Sequence, residues 1–205
     1  MRVGTAMSAG ETARDRVLED HELTAIWHAS DAYGFPFGPF YKLLMLTAQR
    51  RGEVTGMRWS ELDFETKTWT IPANRAKNGR LQAVPLSDLA ISIIETLPRR
   101  ARCDFVFTTN GRTAISGYSK PKKHLDADTG VTEWRIHDLR RTAASGMARM
   151  GTPPYVVEKV LNHISGTISG VAAVYNRYGY DAEKREALDK WAAYVGALID
   201  DKAPS

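Results

Sequence analysis

Apolar positions along the chain change spacing several times, and each change marks an element. Leu23, Ile26 and Trp27 recur at helical spacing and predict a helix from near Asp20 with one buried face. Gly34-Phe35-Pro36-Phe37-Gly38-Pro39 predicts a turn. A nearly continuous apolar run over 40–48 predicts a second helix, and 52–59 a short third one. Residues 66–71 alternate and are rich in threonine, which predicts a strand, and 81–86 its partner, with Pro85 at the end. Between the strands lies Lys77-Asn78-Gly79-Arg80, whose Asn-Gly pair signals a tight turn, so Lys77 is predicted at the tip of a small sheet.

Ser87-Asp88 predicts the cap of a helix running through Ile94. A short extended piece follows at 105–109, then a lysine-bearing polar helix or loop over 116–124. A strong helix is predicted from His137 to Gly151, and another from Thr152-Pro153-Pro154, with proline in its first turn, to near His163. A loop at 166–170 precedes a last helix from near Asp181, with Leu188, Trp191, Ala192, Val195, Leu198 and Ile199 on one stripe. The fold class is therefore α+β, mainly α-helical with a small antiparallel β-sheet. Residues 1–15, small and polar, read as a linker or disordered leader before a domain spanning 16–205.

Composition narrows the class. No apolar run reaches the ~18 residues of a membrane span, and no basic-then-apolar signal opens the chain, so no membrane partner is expected. Cys103 is the single cysteine, which rules out an internal disulfide and a cysteine zinc cluster; a buried, inert thiol is the expectation. The formal net charge of +4 is mild, and its placement says more. Basic residues fall in four groups: Arg50, Arg51 and Arg58; Arg75, Lys77 and Arg80; Lys120, Lys122 and Lys123; and Arg135, Arg140 and Arg141.

Chemistry enters with the arginines set in apolar helical patterns. His137 and Arg140 stand three residues apart, one turn along one helix face. Leu139, Ala143, Gly146, Met147 and Met150 form the buried stripe of that helix, with Arg140 at its edge as a half-buried phosphate clamp. Arg141 points the other way, as a backbone contact or plain surface charge. Arg50 sits at a break between two helices, where Glu53 can orient it. A guanidinium suits phosphate because its planar fork donates two parallel hydrogen bonds and stays charged. Two such clamps favour a phosphorane, which carries more negative charge than the diester, and that difference lowers the barrier.

Lys77 can protonate a departing alkoxide, a contribution of roughly 10²–10⁴ in rate for a positioned acid. His163 ends a helix, where the negative dipole end favours its charged form. His137 and His163 can each bind phosphate or move a proton, and the sequence does not separate these roles. Tyr175, in Val174-Tyr175-Asn176-Arg177, is the candidate nucleophile, with Tyr178 and Tyr180 as near competitors. A phenol of pKa ~10 needs such a cationic pocket to ionise near neutrality.

Thr47-Ala48-Gln49-Arg50-Arg51-Gly52-Glu53, Lys77, His137-Asp138-Leu139-Arg140, Leu161-Asn162-His163 and Tyr175, in this order, resemble the catalytic domain of the tyrosine recombinases, the phage integrase family. Prophage and genomic-island integrases are the nearer likeness. The resemblance implies the DNA breaking-rejoining fold and metal- and ATP-independent, site-specific recombination through a 3′-phosphotyrosyl intermediate, with no cofactor. It assigns Arg50 and Arg140 to the phosphate, Lys77 as general acid, His137 and His163 as assistants, Glu53 as support and Tyr175 as nucleophile. Arg51, Arg80 and Arg141 become DNA-backbone candidates.

The implied partners are double-stranded DNA attachment sites and other protomers: a tetramer on synapsed DNA, a monomer without it. The implied location is the bacterial cytoplasm, with the nucleoid. N-terminal DNA-binding domains common in the family have no counterpart in this sequence. The family often has its tyrosine about nine residues after the last histidine, whereas position 172 is Ala and Tyr175 lies twelve past His163; Leu-Asn-His also replaces the frequent Leu-Gly-His. A type IB topoisomerase-like relaxing enzyme and a catalytically dead DNA-binding module are the competing readings.

Overall fold

The computed structural model describes residues 15–163 and 179–200. The helices are α1 (Asp20–Tyr33), α2 (Phe37–Thr47), α3 (Arg51–Thr55), α4 (Asp88–Glu95), α5 (Ser119–Thr129), α6 (Ile136–Arg149), α7 (Pro154–Val160) and α8 (Asp181–Asp200). The strands are β1 (Leu62–Asp63), β2 (Thr68–Ile71) and β3 (Gln82–Pro85). They form one antiparallel sheet in the order β1-β2-β3, with Leu62 opposite Trp69, Thr68 opposite Pro85 and Ile71 opposite Gln82. The mainly helical fold with a small antiparallel sheet is the one the sequence predicts.

Helix α2 is apolar nearly all round, and every residue from Phe40 to Thr47 is buried, so it runs through the centre of the core. Helix α1 covers it with Leu23, Ile26 and Trp27, the predicted face. Helix α8 closes the other side through Ala187, Leu188, Trp191, Ala192 and Val195. Trp191 is 1% exposed, and its indole donates to the Met45 carbonyl of α2 at 2.8 Å. That bond satisfies the polar edge of a ring whose burial is worth several kcal/mol, at roughly 25 cal/mol per Å². Trp191 lies against α6 at Gly146, where a Cβ would stand 2.2 Å from the ring. Most of the predicted α8 stripe is therefore covered within this chain.

Several boundaries differ from expectation. The predicted turn at 34–39 is shorter, because α2 starts at Phe37 and takes Gly38 and Pro39 into its first turn, where a proline needs no donor. Gly38 is required there, since a Cβ would meet the Ser30 carbonyl oxygen at 2.1 Å. The third helix stops at Thr55, and Trp59–Glu61 is a separate 3-10 turn. The β2–β3 connection is no two-residue hairpin; it spans residues 72–81, with turns at Ala76 and a left-handed Gly79. Helix α5 begins later than predicted and runs on to Thr129, and α6 ends at Arg149. Cys103 is partly exposed, because it lies in the turn after Arg100 rather than in the core. The predicted leader, apart from Asp15, and the 166–170 loop lie outside the described residues.

Candidate active site

The site is assembled at the C-terminal end of α7. A helix ends with carbonyls that have no partner inside it. Here three consecutive ones are taken by side chains from elsewhere in the chain. The Val160 carbonyl accepts from Gln49 Nε2 at 3.0 Å and from Gln82 Nε2 at 2.8 Å. The Leu161 carbonyl accepts from Arg140 Nη2. The Asn162 carbonyl accepts from Arg50 Nη2 at 3.4 Å and from Asn78 Nδ2 at 2.9 Å. The partial negative charge of a helix C-terminus favours cations, so α7 gathers the two guanidinium groups.

Arg50 is placed by the corner between α2 and α3. Ala48 adopts a left-handed conformation at φ 54°, which turns the chain out of α2. Glu53, 3% exposed, then holds Arg50 twice: Oε2 accepts from its backbone N–H at 2.9 Å and Oε1 from Nη1 at 3.0 Å. These two contacts fix the direction of the Arg50 side chain. Its Oε1 also lies 3.5 Å from the Lys77 backbone nitrogen.

Arg140 is buried, 4% exposed, and not half-buried as its wheel position suggested. The carbonyls of Ala48 and Leu161 take hydrogens from Nη1 and Nη2, which makes this depth tolerable for a cation. Burial, then the nearby charge of Arg50, pushes its pKa down to about 10, with Glu53 and Glu158 pulling the other way. It remains charged at neutral pH.

His137 stands in the first turn of α6, one turn from Arg140. Desolvation of its ring, followed by the charges of Arg140 and Arg141, holds its pKa below the usual imidazole value. His163 follows α7, with Nδ1 3.2 Å from Glu158 Oε2. Its pKa is also lowered, by desolvation first and then by Arg140. The sequence predicted the opposite, a charged form favoured by the helix end. Burial of the ring, with the charge of Arg140 behind it, sets the direction instead.

Lys77 is exposed on the β2–β3 connection. It lines a cleft of about 560 Å³ together with Arg50, Arg51, Lys122, Arg135 and His137. Tyr118 and Trp134 form an aromatic wall there; Arg51 lies over the Tyr118 ring at 4.8 Å and Lys122 over Trp134 at 4.0 Å.

Among the backbone candidates, Arg51 faces this cleft and Arg80 is exposed beyond it. Arg141 is bound to the buried Asp138 at 2.6 Å, and Asp138 also accepts from the Arg135 backbone at 2.7 Å. Elsewhere the basic groups are paired locally: Arg75 with Glu61 at 2.6 Å, Arg58 over Phe105 at 4.6 Å.

The structure thus brings together Arg50, Glu53, Lys77, His137, Arg140 and His163. Tyr175 and Tyr178 lie outside the described residues. Tyr180 is described, with its ring 5.3 Å from that of Tyr155. Gln49, Asn78, Asp138, Tyr118 and Trp134 were not legible as site residues, because their role depends on partners far away in sequence. Among the described residues, no three of His, Cys, Asp or Glu gather as a metal-ligand set.

Comparison with known proteins bears on the family and the fold. The profile of the phage integrase family matches residues 16–179. The chain is 31% identical over 163 residues to prophage integrase IntA of Escherichia coli K12, covering 75% of this chain and 37% of that protein. It spans less than half the length of the curated relatives it matches (37%, 41% and 42% for three of them). Among solved structures, the integrase from mycobacterium phage Brujita superposes with a TM-score of 0.67 at 16% identity, over 98% of this chain and 67% of that one. A lambda integrase tetramer bound to a Holliday junction gives 0.62 at 18% identity, over 79% of this chain and 51% of that one.

Proposed function

Because the chain belongs to the phage integrase family and has the catalytic-domain fold of the tyrosine recombinases, we propose that it breaks and rejoins DNA at specific sites by transesterification. The observation that carries this reading is the meeting of Arg50 and Arg140 at consecutive carbonyls beside a cleft walled by cations. A DNA phosphodiester is the substrate such a site suits: a single negative charge that rises in the transition state.

In the first step the Tyr175 oxygen attacks the scissile phosphorus, forming a P–O(tyrosine) bond while the P–O5′ bond breaks. The phenolic proton passes to the imidazole of His137 or His163, whose pKa values burial lowers in the protein without DNA. Lys77 gives a proton to the leaving 5′-oxygen, and Arg50 and Arg140 hold the non-bridging oxygens. In the second step a 5′-hydroxyl of another strand attacks the 3′-phosphotyrosine, restoring the phosphodiester and the phenol. One ester replaces another in each step, so no ATP is needed, and Arg50, Arg140 and Lys77 supply the charge neutralisation and the proton that the exchange requires. Glu53 keeps Arg50 in register, and Arg51, Arg80 and Arg141 contribute backbone contacts.

The whole protein, on this reading, acts on double-stranded attachment sites of an integrating element, as a tetramer on synapsed DNA. Its place is the bacterial cytoplasm, with the nucleoid. Residues 16–205 form the catalytic domain, and 1–15 a leader or linker. Incubation with nicked DNA from the element's own junctions in EDTA should give a denaturant-stable protein–DNA adduct with the wild type and none with Tyr175→Phe. Supercoil relaxation by monomers without strand exchange would favour a topoisomerase-like enzyme, and no adduct from any junction would sink the enzyme reading.

A further inference from the structure

Lys77 has a positioning problem: it sits on an exposed connection, and its 3.5 Å approach to Glu53 is at the limit of a hydrogen bond. Its neighbour Asn78 supplies a stronger anchor. Asn78 Nδ2 donates to Asn162 Oδ1 at 2.7 Å and to the Asn162 carbonyl at 2.9 Å, and Asn162 Nδ2 donates back to Asn78 Oδ1 at 3.2 Å. Asn78 Oδ1 also accepts from the Arg80 backbone at 3.1 Å, which folds the connection around the pair. The two amides therefore exchange hydrogen bonds across 84 residues of sequence, one beside Lys77 and the other beside His163.

Asn162 is suited to this on two counts. Its φ of 49° is left-handed, a region in which glycine is easiest and asparagine is the best tolerated of the larger residues. Unlike glycine, it carries an amide that can hold something. Its carbonyl is also the one that Arg50 reaches.

We propose that Asn78 and Asn162 are positioning residues, an amide pair that fixes the β2–β3 connection to the end of α7 so that Lys77 meets the leaving oxygen. This rests on the recombinase reading above. The pair touches no reacting atom; it acts by restricting where the Lys77 ammonium can go. A misplacement of about 1 Å can cost on the order of 10²-fold in rate, so loss of the pair is expected to slow strand cleavage about tenfold or more.

The test compares wild type, Asn162→Gly and Asn78→Ala on two nicked junction DNAs, one with the ordinary 5′-oxygen and one with sulfur at the bridging 5′ position. Glycine keeps the left-handed backbone, so Asn162→Gly retains the fold, which thermal melting verifies. A thiolate leaves without a proton, so the sulfur substrate needs no acid. Both variants should form adduct slowly on the oxygen substrate and at the wild-type rate on the sulfur one, with unchanged DNA affinity. The double variant should be no slower than the worse single, since both remove one interaction.

Wild-type rates on oxygen, or equal slowing on both substrates, would overturn the proposal while leaving the recombinase reading intact. Absence of adduct from the wild type on either substrate would overturn the recombinase reading and the proposal with it.

Discussion

Arg50 and Arg140 donate to the carbonyls of consecutive residues, Arg140 to Leu161 and Arg50 to Asn162. Two cations that would repel in an apolar interior are held together by the end of a short helix, and each guanidinium keeps further hydrogens to offer. Their mutual cost is visible in the pKa of Arg140, pushed down to about 10 by burial and then by Arg50. An anion placed against both relieves that cost, which is what a phosphate-binding site requires.

The first prediction follows from that relief. Sulfate or phosphate should raise the melting temperature of the wild type above that in chloride at equal ionic strength. Arg50→Ala and Arg140→Met should lose most of the difference, measured by differential scanning fluorimetry. Sulfate stabilises proteins generally, so the variants supply the baseline. An equal sulfate effect in all three proteins would mean that no shared anion site exists.

The histidines set a pH dependence. His137 and His163 both have folded pKa values below the ordinary 6.5. Well above 6.5 both states are neutral and neither residue affects stability. As pH falls below 6.5 the unfolded chain binds protons first, so stability should fall until the lowered folded values are passed. A phosphate beside the rings favours the charged forms, so DNA affinity should rise between pH 7.5 and 6. His137→Asn with His163→Asn should flatten both curves, in chemical denaturation and in fluorescence anisotropy. Curves unchanged by the double variant would remove these histidines from the phosphate site.

Backbone contacts are read from salt. Arg51→Ala and Arg80→Ala should each weaken DNA binding at all sequences alike and reduce the slope of log K against log salt by about one. Arg141→Ala should do the same and also loosen the start of α6, because Arg141 holds the buried Asp138 at 2.6 Å. A slope identical to that of the wild type would show that the side chain touches no phosphate.

Gly146→Ala tests the packing of α8 on α6. An added Cβ meets Trp191 at 2.2 Å, and the ring is fixed by its bond to Met45. The gain in helix propensity is at most about 1 kcal/mol, and overpacking typically costs about 1–3 kcal/mol or more. Net destabilisation is expected in urea unfolding. A variant as stable as the wild type would place Trp191 elsewhere.

The helices were legible because α1, α6 and α8 carry long periodic stripes, and because Ser87 and Pro153-Pro154 mark starts by local chemistry. Boundaries failed where tertiary contacts decide. The Asn-Gly pair at 78–79 does turn the chain locally, with Gly79 left-handed and the Arg80 N–H on Asn78 Oδ1, but it sits inside a ten-residue connection in which Asn78 also binds the distant Asn162.

In the candidate site, residue types and spacing pointed to Arg50, Glu53, His137 and Arg140, which the fold brings near one another. The depth of Arg140 and the neutral state favoured for His163 were hidden, since both depend on how α2, α6 and α7 meet.

The most direct measurement is to digest the protein–DNA adduct and locate the linked residue by mass spectrometry, together with the polarity of the DNA end. A 3′-phosphate esterified to Tyr175, with a free 5′-hydroxyl on the other fragment, is the predicted result. Linkage to Tyr178 or Tyr180, attachment through a 5′-phosphate, or no covalent linkage would contradict it.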